Sequence, residues 1–130
     1  MSKVYNKVCI VTGGGNGIGK SFCEELAVFG ARGIYVVDIN KQSAKEVAHN
    51  VTLLATHPKF RVGYDYCNVG KEDDIRRIIE SAWKLFSSID IYFSNAGIFT
   101  IGGISDEEVP NDDWQKIWEI NCMSHIYAAC

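Results

Sequence analysis

The chain has 130 residues, 47% of them hydrophobic and 22% charged, with a formal net charge of −3. That is enough for one domain with a buried core, and it excludes a disordered tail, a collagen-like fibre and a disulfide-stapled miniprotein. The mild acidity, with no Lys/Arg cluster, argues against a nucleic-acid or anionic-membrane surface. No apolar run approaches a membrane span, and the stretch Met1-Ser2-Lys3-Val4-Tyr5-Asn6-Lys7 is not expected to be a signal peptide.

In chain order, Val8-Cys9-Ile10-Val11-Thr12 reads as a short buried strand that Gly13-Gly14-Gly15 stops. The period then changes: Ile18, Phe22, Leu26 and Phe29 recur at helical spacing until Gly30. Ile34-Tyr35-Val36-Val37 is a second strand, ending in Asp38. A second helix carries Ala44, Val47, Ala48, Val51 and Leu54 on one stripe and closes near His57-Pro58. Residues 60–67 read as a third strand. Ile75, Ile78, Ile79, Ala82, Trp83 and Phe86 make the clearest amphipathic helix. Residues 89–95 form a fourth strand, followed by a loop rich in Gly, Asp and Glu up to Pro110. A last helix is expected from about Asp112, with Trp114, Ile117, Trp118, Asn121 and His125 on one face. Strands alternating with helices imply right-handed crossovers and a doubly wound parallel α/β sheet, and strands apolar throughout fit burial on both faces.

The five cysteines, Cys9, Cys23, Cys67, Cys122 and Cys130, are odd in number, with no Cys-x-x-Cys spacing and no nearby histidine. They read as buried thiols in a reducing compartment, so no metal site is expected and a cytoplasmic location is the default. Without a secretory route, the sequon Asn50-Val51-Thr52 carries no meaning.

A strand that ends in glycines and opens a helix is suited to phosphate, because bare backbone approaches closely and free N–H groups meet the helix dipole. Two fingerprints overlap in this loop. Thr12-Gly13-x-x-x-Gly17-x-Gly19 fits the nucleotide loop of short-chain dehydrogenases/reductases. The segment Gly14 to Ser21, with Gly19-Lys20-Ser21, equally fits the Walker A loop of nucleoside triphosphatases, and a glycine turn that binds nothing is the third possibility. The residues downstream separate the first two. Asp38 stands nineteen residues after Gly19, where an acidic residue takes the ribose hydroxyls. Asn16 is neutral, where a basic residue would favour a 2′-phosphate, and Asp38 would repel that phosphate. Both choose NAD over NADP.

With these residues the chain resembles the short-chain dehydrogenase/reductase family along essentially its whole length. Cys67-Asn68-Val69 is similar to the family's CDV segment at the adenine, with Asn68 replacing the carboxylate, and Gly70 stands where Ser or Thr would cap the next helix. Ser94-Asn95-Ala96-Gly97 resembles the NNAG signature, with Ser94 in the first Asn position. The resemblance implies a Rossmann-like NAD(P)-binding domain over residues 1–130. It implies cofactor contacts from Gly13, Gly15, Asn16, Gly17, Ile18, Gly19, Asp38, Ile39, Asn68, Val69, Asn95, Ala96 and Gly97. Asn121 matches the helix Asn that joins the catalytic group, and a satisfied core amide is its structural alternative.

The family moves a hydride between nicotinamide and an alcohol or ketone carbon, using a Ser and a Tyr-x-x-x-Lys pair. No tyrosine here is followed by a lysine four residues on: Tyr5, Tyr35, Tyr64, Tyr66 and Tyr92 are followed at that distance by Cys9, Ile39, Asn68, Gly70 and Ala96, and for Tyr127 that position falls past residue 130. The chain is therefore expected to be a C-terminally incomplete domain, truncated after about four strands, leaving residues 89–93 as an exposed edge. The full-length protein is expected to take a small alcohol or ketone and to form a homo-oligomer. The other reading is a non-catalytic nucleotide-binding or interaction module.

Overall fold

The computed structural model describes residues 3–95, in which strands and helices alternate as the hydrophobic periods demand. They are β1 (Val8–Thr12), α1 (Gly17–Val28), β2 (Gly33–Asp38), α2 (Lys41–Leu54), β3 (Arg61–Tyr66), α3 (Glu72–Phe86) and β4 (Ile91–Ser94). All strands are parallel, in the order β3-β2-β1-β4. Among the described residues no helix is long and apolar enough to cross a membrane.

Side-chain alternation along β1 and β2 builds two cores. Cys9, Val11, Ile34 and Val36 face α1 and α2, where Leu26, Ala27, Val47 and Val51 close over them. Val8, Ile10, Tyr35 and Val37 face α3, against Ile75, Ile78, Ala82 and Phe86. Both faces of the central strands are thus covered, which is why neither strand alternates with polar residues. Each fully buried aliphatic side chain contributes roughly 1.5–3 kcal/mol. Gly33 admits the Phe86 ring, since a Cβ there would stand 2.5 Å from it.

Two expectations are corrected. β3, with sequence Arg-Val-Gly-Tyr-Asp-Tyr, is not apolar throughout: Arg61, Tyr64 and Tyr66 are exposed. Among the described residues it pairs with β2 alone, and an outer strand needs no continuous apolar run. The cap of α3 falls on Lys71 rather than Gly70 and makes no side-chain cap bond. Glu72, Asp73 and Asp74 in the first turn supply negative charge at the positive end of the helix instead. β4 pairs with β1 alone among the described residues and is half-buried. The helix expected from Asp112, with Asn121, lies outside the described residues, as do Ala96, Gly97, Cys122 and Cys130.

Register aligns the carboxyl ends of three strands: Thr12 stands beside Val37 on one side and Ser94 on the other. The chain runs outward from β1 through β2 to β3, then returns to the other side of β1 as β4. Strand order reverses there, and the crevice outside those carboxyl ends is where such sheets take ligands.

Candidate functional site

The loop between β1 and α1 occupies that crevice. Gly13 and Gly17 adopt left-handed backbone, with φ of 64° and 55°, a region that side chains disfavour. Gly19 is required for a different reason. A Cβ there would lie 2.1 Å from the Gly13 carbonyl oxygen and 2.6 Å from Asn95 Nδ2, so the loop and the helix are pressed together. At Gly17 a Cβ would meet nothing within 4 Å, so the outer side of the loop is open.

The amides divide into two sets. Gly14 N–H donates to the Val37 carbonyl at 3.1 Å, and Gly15 N–H donates to Asp38 Oδ2 at 3.0 Å. Asn16 caps α1, its side chain accepting from Gly17 N–H at 2.9 Å and its carbonyl from Lys20 N–H at 3.3 Å. Ile18 and Gly19, in the first turn, have no helix carbonyl behind them to receive their N–H groups. Those donors, the positive end of α1 and the open space at Gly17 fit a phosphate-bearing ligand. A triphosphate-cradling loop turns its amides toward the phosphates, whereas here those of Gly14 and Gly15 are engaged within the protein.

Asp38 ends β2 beside this loop. Oδ2 takes Gly15 N–H and Oδ1 takes Asn40 N–H at 2.9 Å, which leaves acceptor capacity on each oxygen for hydroxyl groups. Ile39 follows with 64% of its surface exposed, and Ile18 is 69% exposed, so both apolar side chains are available to a ligand.

Three further expected positions behave differently from one another. The Asn68 amide oxygen already accepts Gly70 N–H at 3.0 Å, while Asn68 N–H donates to Asp74 Oδ2 at 3.0 Å. Val69 turns its side chain into the core beneath α3, leaving only its backbone for a ligand. Asn95 places Nδ2 3.4 Å from the Gly13 carbonyl, and its N–H donates to Thr12 Oγ1 at 3.0 Å. The Thr12 hydroxyl in turn donates to the Phe93 carbonyl at 3.2 Å, so one buried side chain ties the ends of β1 and β4 together.

Asn40 is a further site residue, beyond those expected from the sequence. It caps α2 by accepting Ser43 N–H at 3.1 Å while its own N–H holds Asp38. Its signal was legible as an Asn one turn ahead of Ala44, a helix start. The buried thiols Cys9, Cys23 and Cys67 are free, and desolvation pushes each up to about 12. Among the described residues no cluster of three His, Cys, Asp or Glu is placed to hold a metal ion.

A parallel α/β sheet with a glycine loop at its switch point, and an acidic residue closing the next strand, defines the nicotinamide-dinucleotide type of domain. The family model for short chain dehydrogenases matches residues 7–129, and the chain belongs to that family. It is 30% identical over 128 residues to a cyclohexanol dehydrogenase of Acinetobacter sp., covering 98% of this chain and 48% of that protein. It is 32% identical over 128 residues to a tetrahydroxynaphthalene reductase of Pyricularia oryzae, covering 98% and 43%. Among solved structures, a 3-ketoacyl-(acyl-carrier-protein) reductase from Brucella melitensis complexed with NADH superposes with a TM-score of 0.84 at 25% identity, over 98% of this chain and 48% of that one. A short chain dehydrogenase from Burkholderia cenocepacia in complex with NADP gives 0.85 at 25% identity, over 98% and 50%. The chain therefore spans about half the length of the relatives it matches.

Proposed function

We propose that the chain is the cofactor-binding part of an NAD-dependent oxidoreductase that interconverts a small alcohol and its ketone. The observation that carries the NAD assignment is the Asp38 carboxylate, directed at the glycine loop with acceptor capacity remaining on both oxygens. It would accept two ribose hydroxyls and would repel a 2′-phosphate, while the neutral Asn16 offers that phosphate no counter-charge. Ile18 and Gly19 N–H would meet the pyrophosphate, the open side of Gly17 leaving room for it. Exposed Ile39 would offer the adenine an apolar surface, together with the backbone near Asn68 and Val69. The Asn95-Ala96-Gly97 segment would add cofactor contacts, as the family's matching signature does. Bound nicotinamide supplies hydride chemistry at the alcohol carbon. In the whole protein Asn121 would join the catalytic group.

The absence of any Tyr-x-x-x-Lys pair from these 130 residues favours a non-catalytic role for the chain by itself. Purified alone, it is expected to bind dinucleotide and to turn over no alcohol or ketone. The free, buried thiols at Cys9, Cys23 and Cys67 support a reducing, cytoplasmic setting. The test is fluorescence titration with NADH and NADPH. Tighter binding of NADH, with the preference relaxed in Asp38→Ala, supports the reading; equal affinity of the unmutated chain for both refutes the role of Asp38.

A further inference from the structure

The Asp38 carboxylate is held before any ligand arrives, and the groups that hold it come from two different segments. Oδ2 receives Gly15 N–H at 3.0 Å from the loop, and Oδ1 receives Asn40 N–H at 2.9 Å from the start of α2. Asn40 is itself fixed, since its side chain accepts Ser43 N–H at 3.1 Å and its carbonyl accepts Ala44 N–H at 3.2 Å. Gly15 lies hard against this turn: a Cβ on it would stand 2.8 Å from Ser43 Cβ, 3.0 Å from Ala44 N and 3.0 Å from Asp38 Oδ2. Loop, carboxylate and helix start therefore form a closed latch, and position 15 has no room for a side chain.

We propose that Gly15 and Asn40 are positioning residues for cofactor choice, acting through Asp38 by pinning its carboxylate at the glycine loop. A free carboxylate can rotate away from an incoming anion, which weakens the repulsion as separation grows. A carboxylate anchored on both oxygens keeps its charge where a 2′-phosphate would have to sit. Pinning also removes the rotamer freedom that Asp38 would otherwise lose when it receives ribose hydroxyls. Discrimination against NADP thus depends on two backbone N–H groups in addition to the acidic residue they hold. The inference rests on the NAD-binding reading above.

The experiment compares NADH and NADPH affinities, by fluorescence titration, in the unmutated chain, Asn40→Ala, Asn40→Pro and Gly15→Ala, with Tm recorded for each. Asn40→Ala loses the side-chain cap of α2 but keeps the backbone N–H and the Ala44 N–H bond to the residue-40 carbonyl that holds it, so its Tm falls while its NADH:NADPH affinity ratio stays unchanged. Asn40→Pro loses the cap and the N–H together. Its ratio is expected to drop by roughly tenfold, the scale of one hydrogen bond to a charged group. Gly15→Ala, which parts the loop from Asp38, is expected to lower the ratio similarly. An unchanged ratio in Asn40→Pro overturns the proposal, as does an equal drop in Asn40→Ala. If Gly15→Ala does not fold, the two Asn40 variants decide alone. Failure of the unmutated chain to bind either dinucleotide refutes the NAD-binding reading instead, so the two failures are distinguishable.

Discussion

Replacing Gly19 by alanine tests the central contact of the loop, and its magnitude follows from two opposing terms. The new Cβ would stand 2.1 Å from the Gly13 oxygen, against the 3.0 Å below which such contacts essentially never occur, so something must move by about 1 Å. The obstacle is backbone, which cannot rotate aside as a side chain would, and overpacking of this kind costs up to ~3 kcal/mol. Alanine recovers about 1 kcal/mol as the better helix former. The net loss is about 2 kcal/mol, a fall in Tm of roughly 6–12 °C for a chain of this size. NADH affinity should fall with it, because the displaced segment carries the free Ile18 and Gly19 amides. Gly17→Ala is the matched control. Its Cβ has open space, so only the left-handed backbone at φ 55° opposes the change, at roughly 1–2 kcal/mol. Yet the methyl would enter the space proposed for the pyrophosphate. Thermal melts and NADH titrations of both variants should therefore show Gly19→Ala losing more stability and Gly17→Ala losing affinity out of proportion to its Tm. A Gly19→Ala protein with unchanged Tm would refute the close approach of α1 to the loop.

Two further outcomes follow from the same geometry. Lys20 is exposed on α1, and Lys20→Ala is expected to leave NADH affinity within about twofold, the scale of a surface charge; a large loss of ATP binding in that variant would restore the Walker A reading of Gly14 to Ser21. For Cys9, Cys23 and Cys67, desolvation raises each thiol from an ordinary value of 9.0 to about 12, favouring the neutral form in the folded state. Their contribution to stability is complete below pH 9.0 and lost as the pH rises through about 12. Denaturant unfolding between pH 8 and about 11 should show that decline, and site-mapped alkylation at pH 8 should label these three only when the chain unfolds. Rapid native labelling of Cys23 would contradict its burial.

Periodicity carried the sequence reading where interactions are local. Ile75, Ile78, Ala82 and Phe86 stand three or four residues apart, and that spacing can only make a buried stripe if the segment is a helix. Val8 to Thr12 and Ile34 to Val37 announced strands buried on both faces, because a run without polar positions has no side to give to water. β3 resisted the same rule, since its place at the outer position depends on which strands neighbour it. Gly70 stands at the position expected for a cap, but Asn68 and Asp74 hold the preceding turn and the cap falls one residue later, on Lys71. Val69 sat in a cofactor motif, yet its side chain faces α3.

What the sequence determined by itself was the order of elements, the phosphate-suited loop and the acidic residue that closes β2. Each is written in spacing along one segment, and the chain's short-range geometry enforces it. Tertiary structure alone decided how those pieces act on each other: that Gly19 lies against Gly13, that Thr12 ties β1 to β4, and that the Gly15 N–H meets the Asp38 carboxylate. The physical reason is that a backbone N–H carries no residue signature. The Asn40 N–H reaches Asp38 within a two-residue turn, but the Gly15 N–H reaches it only across the parallel register of β1 and β2, after the sheet has formed.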